Sequence, residues 1–553
     1  MHPTQPVRRL PALLWPLLWI GLLAPSAIWI AQDRSVWLCD QAWYGEVSTD
    51  LWFWMGHSFN QWVVELAMGM YMKPPGVVWL GQFFVPLRHI FGSVEISLLV
   101  SILATQFVLL AILYPIGRRL CPASRLGTVA GVTLAAGASL FVGLSHQFLV
   151  EPLQAVAVAW VYYVAAEAPR WLRPRVAVEL ALALVVGVLA KADTPLFCLL
   201  PALYAAGTLC RKRPLRAEFR AAWKSRAFRL RAVLLPVASA AGGVWYYRNW
   251  DAMVQHVRDA SYGPIALDFG HRAPWPSKFL EWSRISIDCF LAPCLGWVFL
   301  AVLVAAAFWR IGSLRQRRQT ARIEPVAIAA ALQIPLVLSV FSTAITVEPR
   351  FLYALLPAVV IVFVQLCAFL PPRILVAVVV ACGAQWAVVN ADSLAISGRL
   401  TQPFKWMSAP EFDASRYDDL TGVLRLTATP DERTDVVAVE SAWLNANAAS
   451  FFAAKDRLRT GKRTHYVSLG YAQSDPAAAM RRIWEFRAGY VITLAEPFQK
   501  GLLGFVNVVS LPVLGEIRND IRFRPVPYAS RNGALVFRVQ DGSPAAAAAR
   551  KAP

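Results

Sequence analysis

The sequence predicts a polytopic α-helical membrane protein of about eleven transmembrane helices with a C-terminal extracytoplasmic α/β domain. Three observations carry this. Hydrophobic residues make up 57% of the 553 and charged residues only 16%, against roughly 25% charged in soluble domains. Apolar runs of about 20 residues, the length that crosses a bilayer, recur from the N-terminus to about residue 391. Beyond Asn390 the pattern changes to short strand-like and helix-like segments separated by polar turns. The domain reading is 1–392 for the membrane part, 393–543 for the α/β domain and 544–553 for a disordered, Ala-rich tail.

The first apolar run follows Val7-Arg8-Arg9 and reaches Ile30. A basic lead could mark a cleaved signal, but the run exceeds the 7–15 residues of a signal core, so it reads as an uncleaved first helix. Further spans read at 94–117, 125–145, 150–167, 176–191, 194–210, 230–247, 286–309, 323–345, 351–370 and 373–391. Alternate connections are basic: Arg118 to Arg125, Arg170 to Arg175, Arg211 to Arg231, Arg310 to Arg322, and Arg373. The others, His146 to Val150, Lys191 to Thr194 and Thr346 to Arg350, carry few positive charges. The positive-inside rule then puts the N-terminus in the cytoplasm. Loops 32–91 and 248–285 and the C-terminal domain fall on the outer face of a plasma (bacterial inner) membrane. This distribution also accounts for the net charge of +20 without nucleic acid, since the cations orient helices rather than line a groove.

In the C-terminal domain, 436–439, 464–469, 489–494 and 533–539 read as strands, and 446–458 and 476–486 as helices. No glycine-rich phosphate loop opens a helix. The eight cysteines are scattered with no CxxC pair, so neither a disulfide framework nor a zinc cluster is indicated. The Trp-rich run from Trp52 to Met68 reads as a helix in the membrane interface or as one packed under the soluble domain.

Chemistry concentrates on the outer face. Asp40, flanked by Trp37, Trp43 and Tyr44, is a partly desolvated carboxylate suited to general-base work, or a solvated surface acid. Lys73, stiffened by Pro74 and Pro75, is a phosphate grip or a snorkelling lysine. Glu151 opens a span ahead of Pro152, as a functional acid at membrane depth or a helix-start carboxylate. Arg248 and Arg350 suit forked phosphate recognition, against an aromatic-belt anchor and a local pair with Glu348. Lys191 reads as an anchor.

Together these stretches resemble the GT-C glycosyltransferases that use polyprenyl-phosphate sugars, in particular family 39, the protein O-mannosyltransferase and lipid A aminoarabinose transferase group. The resemblance rests on Asp40-Gln41-Ala42-Trp43-Tyr44, Lys73-Pro74-Pro75-Gly76, Phe91-Gly92, Gly117-Arg118-Arg119, Glu151-Pro152-Leu153, Ala190-Lys191, Trp245 to Asn249, and Arg350-Phe351 through Pro357. It runs in order over residues 1 to about 390. It implies inverting transfer of a sugar from a polyprenyl-phosphate donor to a lipid, glycan or protein hydroxyl. Asp40 and Glu151 would be catalytic, Lys73, Arg248 and Arg350 would hold the donor phosphate, and Tyr44 and Lys191 would support them. The sequence departs from the family at Gln41, Trp43, Met72 and Phe351. Met72 stands where the aminoarabinose transferases place a metal-binding Glu, so a divalent metal is left open. Two rival readings are a transporter or flippase for a lipid-linked glycan and a non-catalytic membrane partner subunit.

Overall fold

The computed structural model describes residues 14–33, 35–210, 215–315, 322–394, 413–428, 434–469, 473–502 and 504–540. The basic lead Val7 to Arg9, the densest part of the basic stretch 310–322, and the tail 544–553 lie outside them.

Residues 14–394 form a bundle of several apolar helices, the architecture of a multi-pass membrane protein. Among the described residues, five helices are long and apolar enough to cross a membrane, or up to seven if each of two bent pairs counts as one span. Glu151–Glu167 has only 17 residues, a rise of about 25 Å, yet it is buried almost all round because other helices surround it. The span read at 125–145 is two helices, Arg125–Gly137 and Ser139–Ser145, bent by 57°. The helix containing 230–247 continues to Tyr262 as a 37-residue rod. Its Leu230, Val233, Val237 and Val244 are exposed at the 3–4-residue spacing of one helical face; that stripe suits contact with lipid.

The first helix, α1, spans Leu14–Gln32. Its successor α2, Cys39–His57, follows an extended link, and α3, Phe59–Met68, begins where Ser58 caps it by accepting from the Gln61 amide. The Trp-rich stretch is therefore broken at Ser58. Ten residues of α2 are buried, whereas none of α3 is. Of the two readings of that run, packing beneath the C-terminal part applies to α2.

The C-terminal part carries a five-stranded sheet, β1 Thr434–Val437, β2 His465–Ser468, β3 Tyr490–Leu494, β4 Phe523–Val526 and β5 Ala534–Val539, in the order β2-β1-β3-β5-β4. β1 runs parallel to β2 and β3, while β5 pairs antiparallel with β3 and β4. The helices Ala446–Thr460 and Pro476–Glu485 connect the parallel strands, as such crossovers require. β4 is not evident in the sequence because it is a short edge strand containing Pro525. Successive strand residues face opposite ways, and the packing follows. Val437 and Ile492 join the apolar core that extends into the helix bundle. Val436 and Val491 join a second core with Ile483, Val513 and Ile517.

Candidate active site

The site gathers at the end of the bundle where α2 starts. Cys39 takes a left-handed φ of 21°, and Asp40 sits in the first turn of α2, where a negative charge is favoured by the helix dipole. The segment after α3 is tied down from another part of the chain. Trp245 donates from Nε1 to the Met70 carbonyl at 2.9 Å, and Asn249 donates from Nδ2 to the Ala67 carbonyl at 2.8 Å. These two residues lie one helical turn apart on Arg226–Tyr262 and hold the approach to Lys73-Pro74-Pro75. Gly76 then presses on the end of the helix Arg173–Ala190. A Cβ there would lie 2.6 Å from the Leu189 carbonyl oxygen, so no larger residue fits without displacing backbone.

This path brings Lys73 Nζ to 2.6 Å from Asp40 Oδ1, and 5.8 Å from the ring centres of both Trp43 and Tyr44. Arg350, delivered by the turn Pro349–Leu355, donates from Nη2 to Asp40 Oδ2 at 3.2 Å. Its Nε lies 3.9 Å from both Glu151 and Glu348. Glu151, buried at the start of its helix, accepts from Lys191 at 3.2 Å. Lys191 is also 3.9 Å from Asp193 and 3.9 Å from the Phe351 ring centre. Tyr44 is buried within electrostatic reach of Asp40, Glu151 and Arg350. Residues 33, 111 and 310 positions from Asp40 in sequence thus meet in one chain of charges.

Burial on its own would raise the Asp40 carboxyl, but Lys73 and Arg350 outweigh it and hold the group well below the usual carboxylate range. Burial pushes the Tyr44 phenol well above its ordinary value, so it stays protonated. Three polar atoms around Arg350 are buried without a hydrogen-bond partner: Arg350 Nε, Glu151 Oε2 and Glu348 Oε1.

Of the residues singled out in the sequence, Asp40, Lys73, Glu151, Lys191, Arg350 and Tyr44 come together. Arg248 does not join them. Trp245 and Asn249 turn inward, and at about 100° per residue their neighbour points elsewhere. Arg248 is exposed and forms no ion pair with a described residue. Eight residues further along the same helix, His256 does come within electrostatic reach of Lys73 and Asp40. Asn447, from the C-terminal part, donates to the Cys39 carbonyl at 3.2 Å, and Glu440 bears electrostatically on Cys39. His256, Asn447 and Glu440 carried no sequence signal, because each belongs to the site only through tertiary packing.

The donor set does not match a metal centre of the family's kind. Position 72 is a methionine, and the described residues hold no group of three or more His, Cys, Asp or Glu side chains arranged to share an ion. No step below is routed through a metal.

No family profile and no curated protein matches the sequence. The fold, by contrast, matches solved structures. The crystal structure of ArnT from Cupriavidus metallidurans bound to undecaprenyl phosphate superposes with a TM-score of 0.62 at 14% identity, covering 95% of this chain and 98% of that one. ArnT from the same organism in the apo state gives 0.58 at 13% identity over the same shares. The chain has the GT-C fold.

Proposed function

We propose that the protein is an integral membrane glycosyltransferase that moves a sugar from a polyprenyl-phosphate donor to a lipid, glycan or protein hydroxyl on the outer face of the membrane. The observation that carries this reading is one carboxylate held between a lysine at 2.6 Å and an arginine at 3.2 Å from separate segments, at one end of a GT-C bundle. The fold neighbour bound to undecaprenyl phosphate supports a ligand of that chemistry.

The geometry gives the site a loading step. Without donor, Asp40 occupies both cations and is a poor base. A donor phosphate entering between Lys73 and Arg350 draws them toward itself. Each cation at about 4 Å contributes roughly 4 kcal/mol of Coulomb attraction at an effective dielectric near 20, before desolvation. Asp40 then loses the two charges that depress it, and its burial raises its basicity. In the transfer, the acceptor hydroxyl oxygen attacks the sugar C1 and its proton passes to Asp40. The bond from C1 to the phosphate oxygen breaks, its electron pair leaves with the polyprenyl phosphate, and the configuration at C1 inverts. Lys73 and Arg350 neutralise the leaving phosphate, an electrostatic role best served by groups already in place. Glu151 and Lys191 hold Arg350 and Phe351 from behind, and the atoms around Arg350 that lack a hydrogen-bond partner suit further polar contacts to donor or acceptor.

The test is mass spectrometry of envelope lipids, glycans and proteins from cells with and without the protein, complemented by wild type or by Asp40→Asn. A sugar-bearing product that depends on wild type and is absent with Asp40→Asn supports the reading. A well-folded Asp40→Asn protein that restores the full amount overturns Asp40 as base. Absence of any sugar-bearing difference overturns the transferase reading itself.

A further inference from the structure

Helix α2 carries a second ion cluster, and it belongs to the C-terminal part. Taking Asp40 as zero on the helical wheel, Glu46 falls at about 240° and Asp50 at about 280°. They therefore centre about 100° round the helix from Asp40 and about 140° from Tyr44. Asp50, nearly fully buried, accepts from Arg457 Nη2 at 2.5 Å, and Arg463 bridges Asp50 and Glu46. The Arg457 guanidinium lies 4.3 Å from the Phe53 ring centre and 4.9 Å from that of Trp54. Nearer the start of α2, Phe451 stacks on Trp37 at 5.0 Å and closes on Gly45, where a Cβ would meet its ring at 2.9 Å. Lys455 pairs with Glu95 on the helix Val94–Leu120, and Asn447 holds the Cys39 carbonyl. The helix Ala446–Thr460 and the loop that follows it thus grip α2 along its length.

We propose that Arg457 and Arg463 are positioning residues for Asp40: through α2 they fix the depth and angle at which its first turn meets Lys73 and Arg350. This inference rests on the transferase reading above. Near-attack geometry tolerates little error, a misplacement of about 1 Å costing on the order of 100-fold in rate, and the first turn of α2 is continuous with the helix that those two residues hold. The grip also has a built-in pH response. Three carboxyls, Glu46, Asp50 and Glu65, face the two guanidiniums of Arg457 and Arg463, with His465 bearing on Asp50. Burial and the neighbouring Asp50 push Glu46 and Glu65 up to about 7 against Arg463. A raised carboxyl favours the docked state while protonated. That contribution is complete below the ordinary carboxyl value and is lost as the pH rises through about 7.

The test uses the full-length protein in detergent. It measures hydrogen exchange over residues 41–57, transfer to the acceptor found by the mass-spectrometric comparison, and binding of undecaprenyl phosphate. Arg463→Met is expected to raise exchange in α2 about tenfold. It is expected to lower kcat about 30-fold while leaving undecaprenyl phosphate affinity within about twofold, since Lys73 and Arg350 come from other segments. Arg463→Lys is expected to recover most of kcat, and Arg459→Ala, on the exposed side of the 446–460 helix, to change nothing. Wild-type exchange, corrected for its intrinsic pH dependence, is expected to rise between pH 6 and 8, and Glu46→Gln combined with Glu65→Gln to flatten that rise. Unchanged exchange in Arg463→Met, or a loosened α2 with unchanged kcat, overturns the proposal. Should Arg463→Met fail to fold, Arg463→Gln decides by the same exchange, kcat and undecaprenyl phosphate readouts. If Asp40→Asn transfers at the wild-type rate, the transferase reading falls, while the exchange measurements still decide whether the grip exists.

Discussion

Helix α2 carries two ion clusters, one at its first turn and one around Glu46 and Asp50, and the two are finished differently. At its first turn, Asp40, Lys73 and Arg350 each leave a fifth to a quarter of the side chain exposed. Further along the helix, Asp50 and Arg457 are within a few percent of complete burial, wedged against Phe53 and Trp54, with Glu46 and Arg463 about 15% exposed beside them. Both clusters use the same chemistry, carboxylate against guanidinium or ammonium. In the proposed mechanism, this exposed edge is what lets the first set exchange one anion for another. Burial makes the second set permanent, because either partner left alone would be an uncompensated charge in a medium that solvates it poorly. The comparison teaches that exposure, rather than charge alone, separates a site from a joint.

Several substitutions would break or sharpen this contrast. Asp40→Asn keeps the shape and removes the proposed base; transfer should fall about 10³-fold, the middle of the range for general-base catalysis, with a smaller thermal loss than Asp50→Ala because both of its cationic partners keep part of their hydration. Asp50→Ala should do the reverse in kind. It strands the buried Arg457 guanidinium and leaves Arg463 with Glu46 alone, so unfolding should become easier by about 3–5 kcal/mol, seen as a lower thermal midpoint in detergent. A catalytic-side variant that destabilised as much as Asp50→Ala would erase the distinction. Lys73→Met should weaken undecaprenyl phosphate binding about tenfold to 100-fold, the loss of one or two charge-assisted contacts, read by titration. Arg248→Ala, on an exposed helix face, should alter both transfer and phosphate affinity by less than about twofold; a large effect would return Arg248 to the site.

Much of the candidate site was legible before the fold was known. Asp40, Lys73, Glu151, Lys191 and Arg350 are unusual in their settings: charges beside aromatic residues, prolines and the ends of apolar runs, all on the side that positive-inside counting assigns to the outer face. Arg248 shared that signature and is exposed, because an adjacent pair, Trp245 and Asn249, takes the inward face. Sequence spacing does not reveal which of several neighbours on a rotating helix turns in. The interface cluster was invisible for another reason. Glu46 and Asp50 look like ordinary polar residues in a loop, and Arg457 and Arg463 like ordinary cations on a soluble helix and its following turn.

Local order along the chain determined the fold class, the change of composition near residue 390, the principal strands and helices of the C-terminal part, and the residues able to do chemistry. Those follow from hydrophobic periodicity and from short-range backbone constraints, which a linear pattern carries in full. Tertiary structure alone decided that Asp40 meets Arg350 across 310 residues, that Gly76 must be small against Leu189, and that α2 is held by Arg457 and Arg463. Pairing between distant charges depends on which helix faces are left to meet after the apolar surfaces have packed, and no stretch of sequence contains that information by itself.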